Sequence, residues 1–403
     1  MSKDSAPTNR VSRRRVLTGL GATAAAFVMP TLGSAAAFAT PNPSSSGAAA
    51  SLGFLYVNGN TAGANTVAGF ARHPDGTLSP LAGSPFAIGG AGTGAPLNSQ
   101  GAIKLSADKR FLLAVDGASN GIAVLKINAH GTLTPVVGSP FSSGGNLPVS
   151  IAVSGNLVYV ANAGTGGSNY TGFILRPDGR LDPIAGSTVM VPDGAGIGDI
   201  LFDRTSRHLV GVRVTTSLID SFTVARNGHL TAAPNSPFAA QGAGPFGSIF
   251  GTSGPTRLYV SNAHGGAGNG SVSAFAVSAD GTLTALSGSP YPDQQTAPCW
   301  VALAPNGRHL FTANAGSDSI SSYAVQPDGT LSLVGSTPLV GGPGLGTFDE
   351  ALDSSGHFLY QVDGLKAEIS ILRVEGGNLK ELASSPTSLG LASGAVPFGI
   401  AIT

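Results

Sequence analysis

The side chains in this sequence best suited to chemistry are a lone acid, Asp199, an adjacent acid pair, Asp349-Glu350, an arginine, Arg213, and a histidine, His264. They stand in GIGDILF (196–202), TFDEALD (347–353), VGVRVTT (210–216) and NAHGGAGNG (262–270). A carboxylate can orient water or shuttle protons. An arginine beside carboxylates can bind a substrate carboxylate or polarise a carbonyl. The same residues would serve equally as salt bridges between neighbouring loops, and a loop histidine is as readily solvated as catalytic. Cys299 and Trp300, in TAPCWVALAP (296–305), are assigned to the wall of a substrate site. Trp300, the only tryptophan, is a platform for a ring-shaped ligand or a core residue. Cys299, the only cysteine, has no base beside it in sequence and gives no support for a nucleophile.

These residues lie far apart along the chain, so an architecture must gather them. A tight turn supplies the ruler. It recurs as PDGTL (74–78), AHGTL (129–133), PDGRL (177–181), RNGHL (226–230), ADGTL (279–283), PDGTL (327–331) and EGGNL (375–379), at intervals of 48–55 residues. Glycine is needed there because a tight hairpin turn places residues at positive φ. Each interval holds four strand-like runs, as in AIKLS, RFLLAV, GIAVLKI and LTPVVG between residues 102 and 138. Four antiparallel strands in each of seven repeats predict an all-β, seven-bladed β-propeller. The first repeat opens on a second strand, GFLYVNG (53–59), and its missing inner strand is found at the far end, VPFGIAIT (396–403). The ring is therefore expected to close by joining its two ends.

This topology sorts the candidates. Loops between strands two and three, and from strand four to the next blade, share the face where ligand sites usually gather. Asp199, Arg213, His264, Asp349-Glu350 and the Cys299-Trp300 pair map to that end of the central channel. His73, His130, His208, His229, His309 and His357 map to the opposite face and read as solvated turn residues. GAGPFG (242–247) and GASNG (117–121) match nucleotide-binding and nucleophile-elbow patterns, but strand-like residues follow where those motifs need a helix.

Segments LYVNG (55–59), VYVANAG (158–164), LYVSNAH (258–264) and LFTANAGSDSISSYAV (310–325) resemble the YVTN-type repeats of the seven-bladed lactonase superfamily. That family includes bacterial 6-phosphogluconolactonases and the fungal carboxymuconate lactonizing enzyme. The resemblance implies hydrolysis or isomerisation of a small carboxylated or sugar-derived lactone. Lactonase-type members typically carry a Pro-His motif before an inner strand. Here NSQGAIKL (98–105), LPVSIAV (147–153), GPFGSIF (244–250) and APCWVAL (297–303) contain no histidine, so that residue is not carried over. The alternative is a non-catalytic surface propeller binding a protein or glycan through its Gly-, Ser- and Asn-rich loops.

Composition sets the remaining bounds. Apolar residues make up 42% of the 403, charged residues only 10%, and there are 59 Gly and 27 Pro. No run of like charge follows the N-terminus, which excludes a nucleic-acid footprint. Ser12-Arg13-Arg14-Arg15-Val16-Leu17, the apolar stretch 16–28 and Ala37-Phe38-Ala39 predict a twin-arginine signal peptide over 1–39. A flexible linker over 40–50 and a propeller over 51–403 follow. The protein is thus expected to be exported to the periplasm or beyond, without a stable membrane span after signal removal, and as a monomer. No cofactor is required by the sequence, and calcium in the central channel is left open, because scattered carbonyl and carboxylate ligands leave no local signature.

Overall fold

The computed structural model describes residues 51–403; the signal segment 1–39 and the linker 40–50 lie outside them. Seven antiparallel sheets stand in a ring, six of them with their strands in sequence order from the axis outward. The inner strands are Phe398–Ile402 (blade 1), Ile103–Leu105 (2), Pro148–Ser154 (3), Ile197–Phe202 (4), Pro245–Phe250 (5), Pro298–Leu303 (6) and Thr347–Leu352 (7). Blade 1 is the hybrid the sequence demands. Its inner strand comes from the C-terminus and pairs with Phe54–Asn58, with Leu55 opposite Ile402 and Val57 opposite Ile400. The buried Arg72–Asp353 pair, 3.6 Å apart, joins blade 1 to blade 7 at the same seam. Among the described residues no helix is long and apolar enough to cross a membrane.

The second strands explain why their sequences are runs of apolar residues rather than alternations. Leu55-Tyr56-Val57, Leu112-Leu113-Ala114 and Val158-Tyr159-Val160 are completely buried, because each blade is covered on both faces by its neighbours. Tyr159, Tyr170, Ile200, Leu209 and Phe222, for example, form one cluster between blades 3 and 4. Full burial of each such side chain contributes about 1.5–3 kcal/mol.

The fourth strand departs from expectation. In six blades it is broken into two short pieces that both pair with the third strand; only in blade 6 does it run unbroken, Leu331–Pro338. The break falls at a serine, followed by proline in five of the six, and the serine hydroxyl takes over the amide that the missing carbonyl would have served. Gly69, Val124, Gly172, Ser221, Ala274 and Ile371 donate to Ser84, Ser139, Ser187, Ser236, Ser289 and Ser385 in this way, at 2.8–3.1 Å.

The turn glycines hold the ring as well as the hairpins. All seven adopt φ between 79° and 92°. Six offer their carbonyl to a hydroxyl of the preceding blade. Tyr56, Tyr159, Tyr259 and Tyr360 donate to Gly131, Gly228, Gly329 and Gly76, and Ser221 and Ser322 donate to Gly281 and Gly377. Blade 2 carries Leu113 at the tyrosine position, and its neighbour's Gly179 rests on Phe111 and Val136 instead.

Candidate active site at the stoppered end of the channel

The inner strands bring Asp199, Asp349 and Trp300 to matching positions around the axis, in register with the second strands behind them. They do not face an open channel. The segment leading from blade 1 into blade 2, residues 97–101, dives between the inner strands and stoppers it. Ser99 Oγ donates to Val149 O (2.8 Å), and Trp300 Nε1 donates to Ser99 O (2.8 Å). Gln100 Nε2 donates to Ser248 O (3.1 Å), while its Oε1 accepts from Val301 N (2.9 Å). Gly101 N donates to Asp349 Oδ2 (3.2 Å). Gly247 makes room for this, since a Cβ there would lie 2.2 Å from Gln100 Oε1.

Asp199 is equally committed. It accepts from the Ser248 hydroxyl (2.7 Å) and amide (3.0 Å) and from the Ser150 hydroxyl (3.1 Å). Burial raises both acids, Asp349 to about 6, and the charge of Lys104 draws both back down. Lys104, on the inner strand of blade 2, is thus the cation of the channel. It makes no ion pair among the described residues. Sequence reasoning missed it, although a lone lysine within the apolar AIKLS was a readable signal. Glu350, next to Asp349, is buried with neither carboxyl oxygen partnered, and burial and Asp349 push its carboxyl well above the usual range.

Arg213 is not in this constellation. Its Nε and Nη2 donate to Asp220 at 2.7 and 2.5 Å, and Tyr170 of blade 3 donates to the same carboxylate at 2.9 Å. Trp300 is 2% exposed and packs against Phe246, Phe348 and Phe398, at ring separations of 5.1, 5.4 and 6.0 Å. It is a core residue of the aromatic wall beneath the stopper. Burial pushes the Cys299 thiol up to about 12, far from a thiolate. Of the histidines mapped to the opposite face, His208 is buried rather than solvated. It pairs with Asp203 (3.1 Å) and Ala279 O (3.3 Å), tying blade 4 to the next turn.

His264 alone of the predicted residues lines an open cleft. This cleft, about 370 Å³, sits on the stoppered face across blades 3, 4 and 5. Leu97, Leu147, Val214 and Phe246 form its apolar surface, and Asn98, Thr215 and His264 bring its polar side chains. His264 and Asn98 are both exposed, and neither side chain has a hydrogen-bond partner among the described residues. Of the channel acids, Asp349 holds the stopper directly through Gly101 N, and Asp199 fastens Ser248, whose carbonyl accepts from Gln100; both thereby act on the Leu97-Asn98 rim indirectly. Among the described residues no three His, Cys, Asp or Glu side chains cluster as metal ligands.

Seven blades around a stoppered axis define a seven-bladed β-propeller. The chain belongs to the family described as lactonase, 7-bladed beta-propeller, whose model matches residues 53–190 and 216–347. The unmatched stretch between those segments carries Asp199 and Arg213. No curated protein matches the chain in sequence. Among solved structures it is similar to a Bacteroides uniformis protein provisionally described as a 6-phosphogluconolactonase, with 20% identity and TM-score 0.69, covering 87% of this chain and 99% of that one. It is also similar to the Pseudomonas aeruginosa periplasmic gluconolactonase PpgL, with 17% identity and TM-score 0.68, covering 87% and 99%. At these identities the likeness is one of fold.

Proposed function

We propose that this chain is an exported lactonase that hydrolyses a small carboxylated or sugar-derived lactone in the His264 cleft. The observation that carries the reading is the pairing of an unpartnered imidazole with an unpartnered carboxamide over an apolar surface, in a cleft sized for one small ring. His264 removes a proton from water, which adds to the lactone carbonyl. The Asn98 amide donates to the oxygen on which negative charge builds. The ring C–O bond then breaks, and the imidazolium returns its proton to the departing alkoxide, leaving a hydroxy acid. Family membership supports the reaction class. The twin-arginine segment supports export, as does the description of the Pseudomonas neighbour as periplasmic.

The test is acid release from a panel of five- and six-membered lactones by the purified protein, followed in a pH-stat. His264→Ala is expected to lose about 10²-fold or more in kcat/KM on the best substrate, and His130→Ala, on the opposite face, to change nothing. A protein inert on the whole panel would replace this reading with a surface propeller that binds a protein or glycan.

A further inference from the structure

A second, larger cleft lies at the other end of the ring. It measures about 630 Å³ and opens between blades 5 and 6. The turn 251–255, the turn 306–308 and the hairpin 326–329 form its walls. Its charged and titratable side chains are Arg257, Arg308, His309 and Tyr259, whose hydroxyl donates to Gly329 O, with Thr252, Ser253, Asn306 and Gln326 as further polar groups; no acidic side chain is among the lining residues. Arg257 Nε reaches only a backbone carbonyl, Asp328 O at 3.3 Å. The Arg308 guanidinium has no hydrogen-bond or ion-pair partner among the described residues.

The repeat provides its own control. The same junction between blades 2 and 3 forms a cleft of about 340 Å³. Register places Phe111 and Asn156 there, where the larger cleft has Arg257 and Arg308. The two arginines of the smaller cleft are both spent on carboxylates, Arg110 on Asp108 and Arg176 on Asp182, each at 2.6 Å. At the blade 2–3 junction both guanidinium groups are thus paired, whereas Arg257 and Arg308 make no ion pair among the described residues; the exposed Asp328 carboxylate feels the charge of Arg257 but bonds to Thr330. A guanidinium fork matches carboxylate and phosphate oxygens, and the surrounding hydroxyl and amide groups suit a ligand with several hydroxyls.

We infer that this cleft is a second binding site, for a small polyhydroxylated oxyanion held by Arg257 and Arg308. The inference is independent of the reaction proposed at the opposite end. Calorimetric titration of the full chain at low salt, with D-gluconate and D-glucose 6-phosphate as separate probes and sorbitol as the uncharged control, tests it. The expected result is saturable binding of at least one anion at about 1 mM or tighter, with sorbitol silent. Arg308→Gln and Arg257→Gln should each weaken it by about tenfold or more, while Arg110→Gln leaves it unchanged. His264→Ala, which tests the other site, should also leave it unchanged. The carboxylate probe against the phosphate probe decides which oxyanion is preferred. Equal binding of sorbitol, binding unaffected by both arginine variants of the cleft, or no binding of either anion by a folded protein would overturn the inference.

Discussion

Asp220 grips Arg213 with both carboxylate oxygens, and Tyr170 from the neighbouring blade adds a third hydrogen bond to the same group. Arg213 closes the second strand of blade 4, the position held elsewhere by Asn58, Asp116, Asn162, Asn262, Asn314 and Asp363. In most blades this residue bonds across to the third strand, as Asn162 does to Asn169 and Asp363 to Ser370. Arg213 is the blade 4 version of that clasp. Removing it leaves Asp220, 3% exposed, without its counter-ion. Arg213→Ala is expected to lower stability by about 2–4 kcal/mol in urea unfolding, with the loss reduced when Asp220→Asn is added. A stable Arg213→Ala variant would show that the pair contributes nothing to the fold.

Two members of that clasp series make stability depend on pH in an unusual direction. Burial pushes Asp116 and Asp363 up to about 7, and one oxygen of each has no partner. The folded state therefore keeps protons that an unfolded carboxyl, near 3.8, has released. Stability rises as pH falls from about 8 through 6 and levels off near 4. Asp203 opposes this only in stronger acid: burial alone would raise it, but His208 and Thr205 draw it down to about 2. Melting temperature should thus be higher at pH 5 than at pH 8. Asp116→Asn with Asp363→Asn, the residue other blades use, should flatten the profile and add on the order of 2 kcal/mol at pH 8. An unchanged slope in the double variant would place the effect elsewhere.

The stopper can be followed through the one tryptophan. Trp300 is buried and donates to Ser99 O, so its emission should be blue-shifted and resistant to acrylamide. Gln100→Ala removes the side chain that bridges blades 5 and 6 through Ser248 O and Val301 N. Quenching of Trp300 should then rise several-fold while the far-ultraviolet spectrum stays unchanged. Quenching identical to that of the parent protein would mean that backbone contacts alone seat the segment.

Ring closure predicts that the last strand stabilises the whole domain. Deleting 398–403 strips the inner strand from blade 1, exposes the edge of Phe54–Asn58 and removes Thr403, whose Oγ1 accepts from Phe54 N at 2.7 Å. The truncated chain should lose its single cooperative melt or aggregate. A truncated protein that melts like the parent would contradict closure by this strand.

The fold was legible because its repeat carries a physical necessity, a positive-φ glycine at a fixed interval, and because the first repeat visibly lacked a strand that the last residues supplied. The site was legible only in part. His264 could be found because loop connectivity alone assigns it to a face. The role of Arg213 was readable in principle, since aligning the ends of the second strands exposes the clasp series. Lys104 was readable as a charge inside an apolar strand. The path of residues 97–101 was not, because its partners come from five different blades and meet only after the ring has formed. Of the two arginines of the larger cleft, Arg257 opens a second strand and Arg308 stands in the turn before the next blade's second strand, and only the comparison of equivalent junctions distinguishes them.

The hydroxyl-to-turn bonds that couple successive blades have a consequence for how such a ring can be assembled. Each coupling runs the same way around, from the earlier blade to the later one, and blades 1, 4, 5, 6 and 7 each carry both a donor and an acceptor; blade 2 only accepts and blade 3 only donates. A blade does not need to recognise which neighbour it meets. The same bond that joins blades 5 and 6 also joins Tyr360 to Gly76, 284 residues apart, with no sequence dedicated to the seam. Outside the blade 2–3 junction the coupling is one repeated part, and blade 7 meets blade 1 through it as other neighbours do.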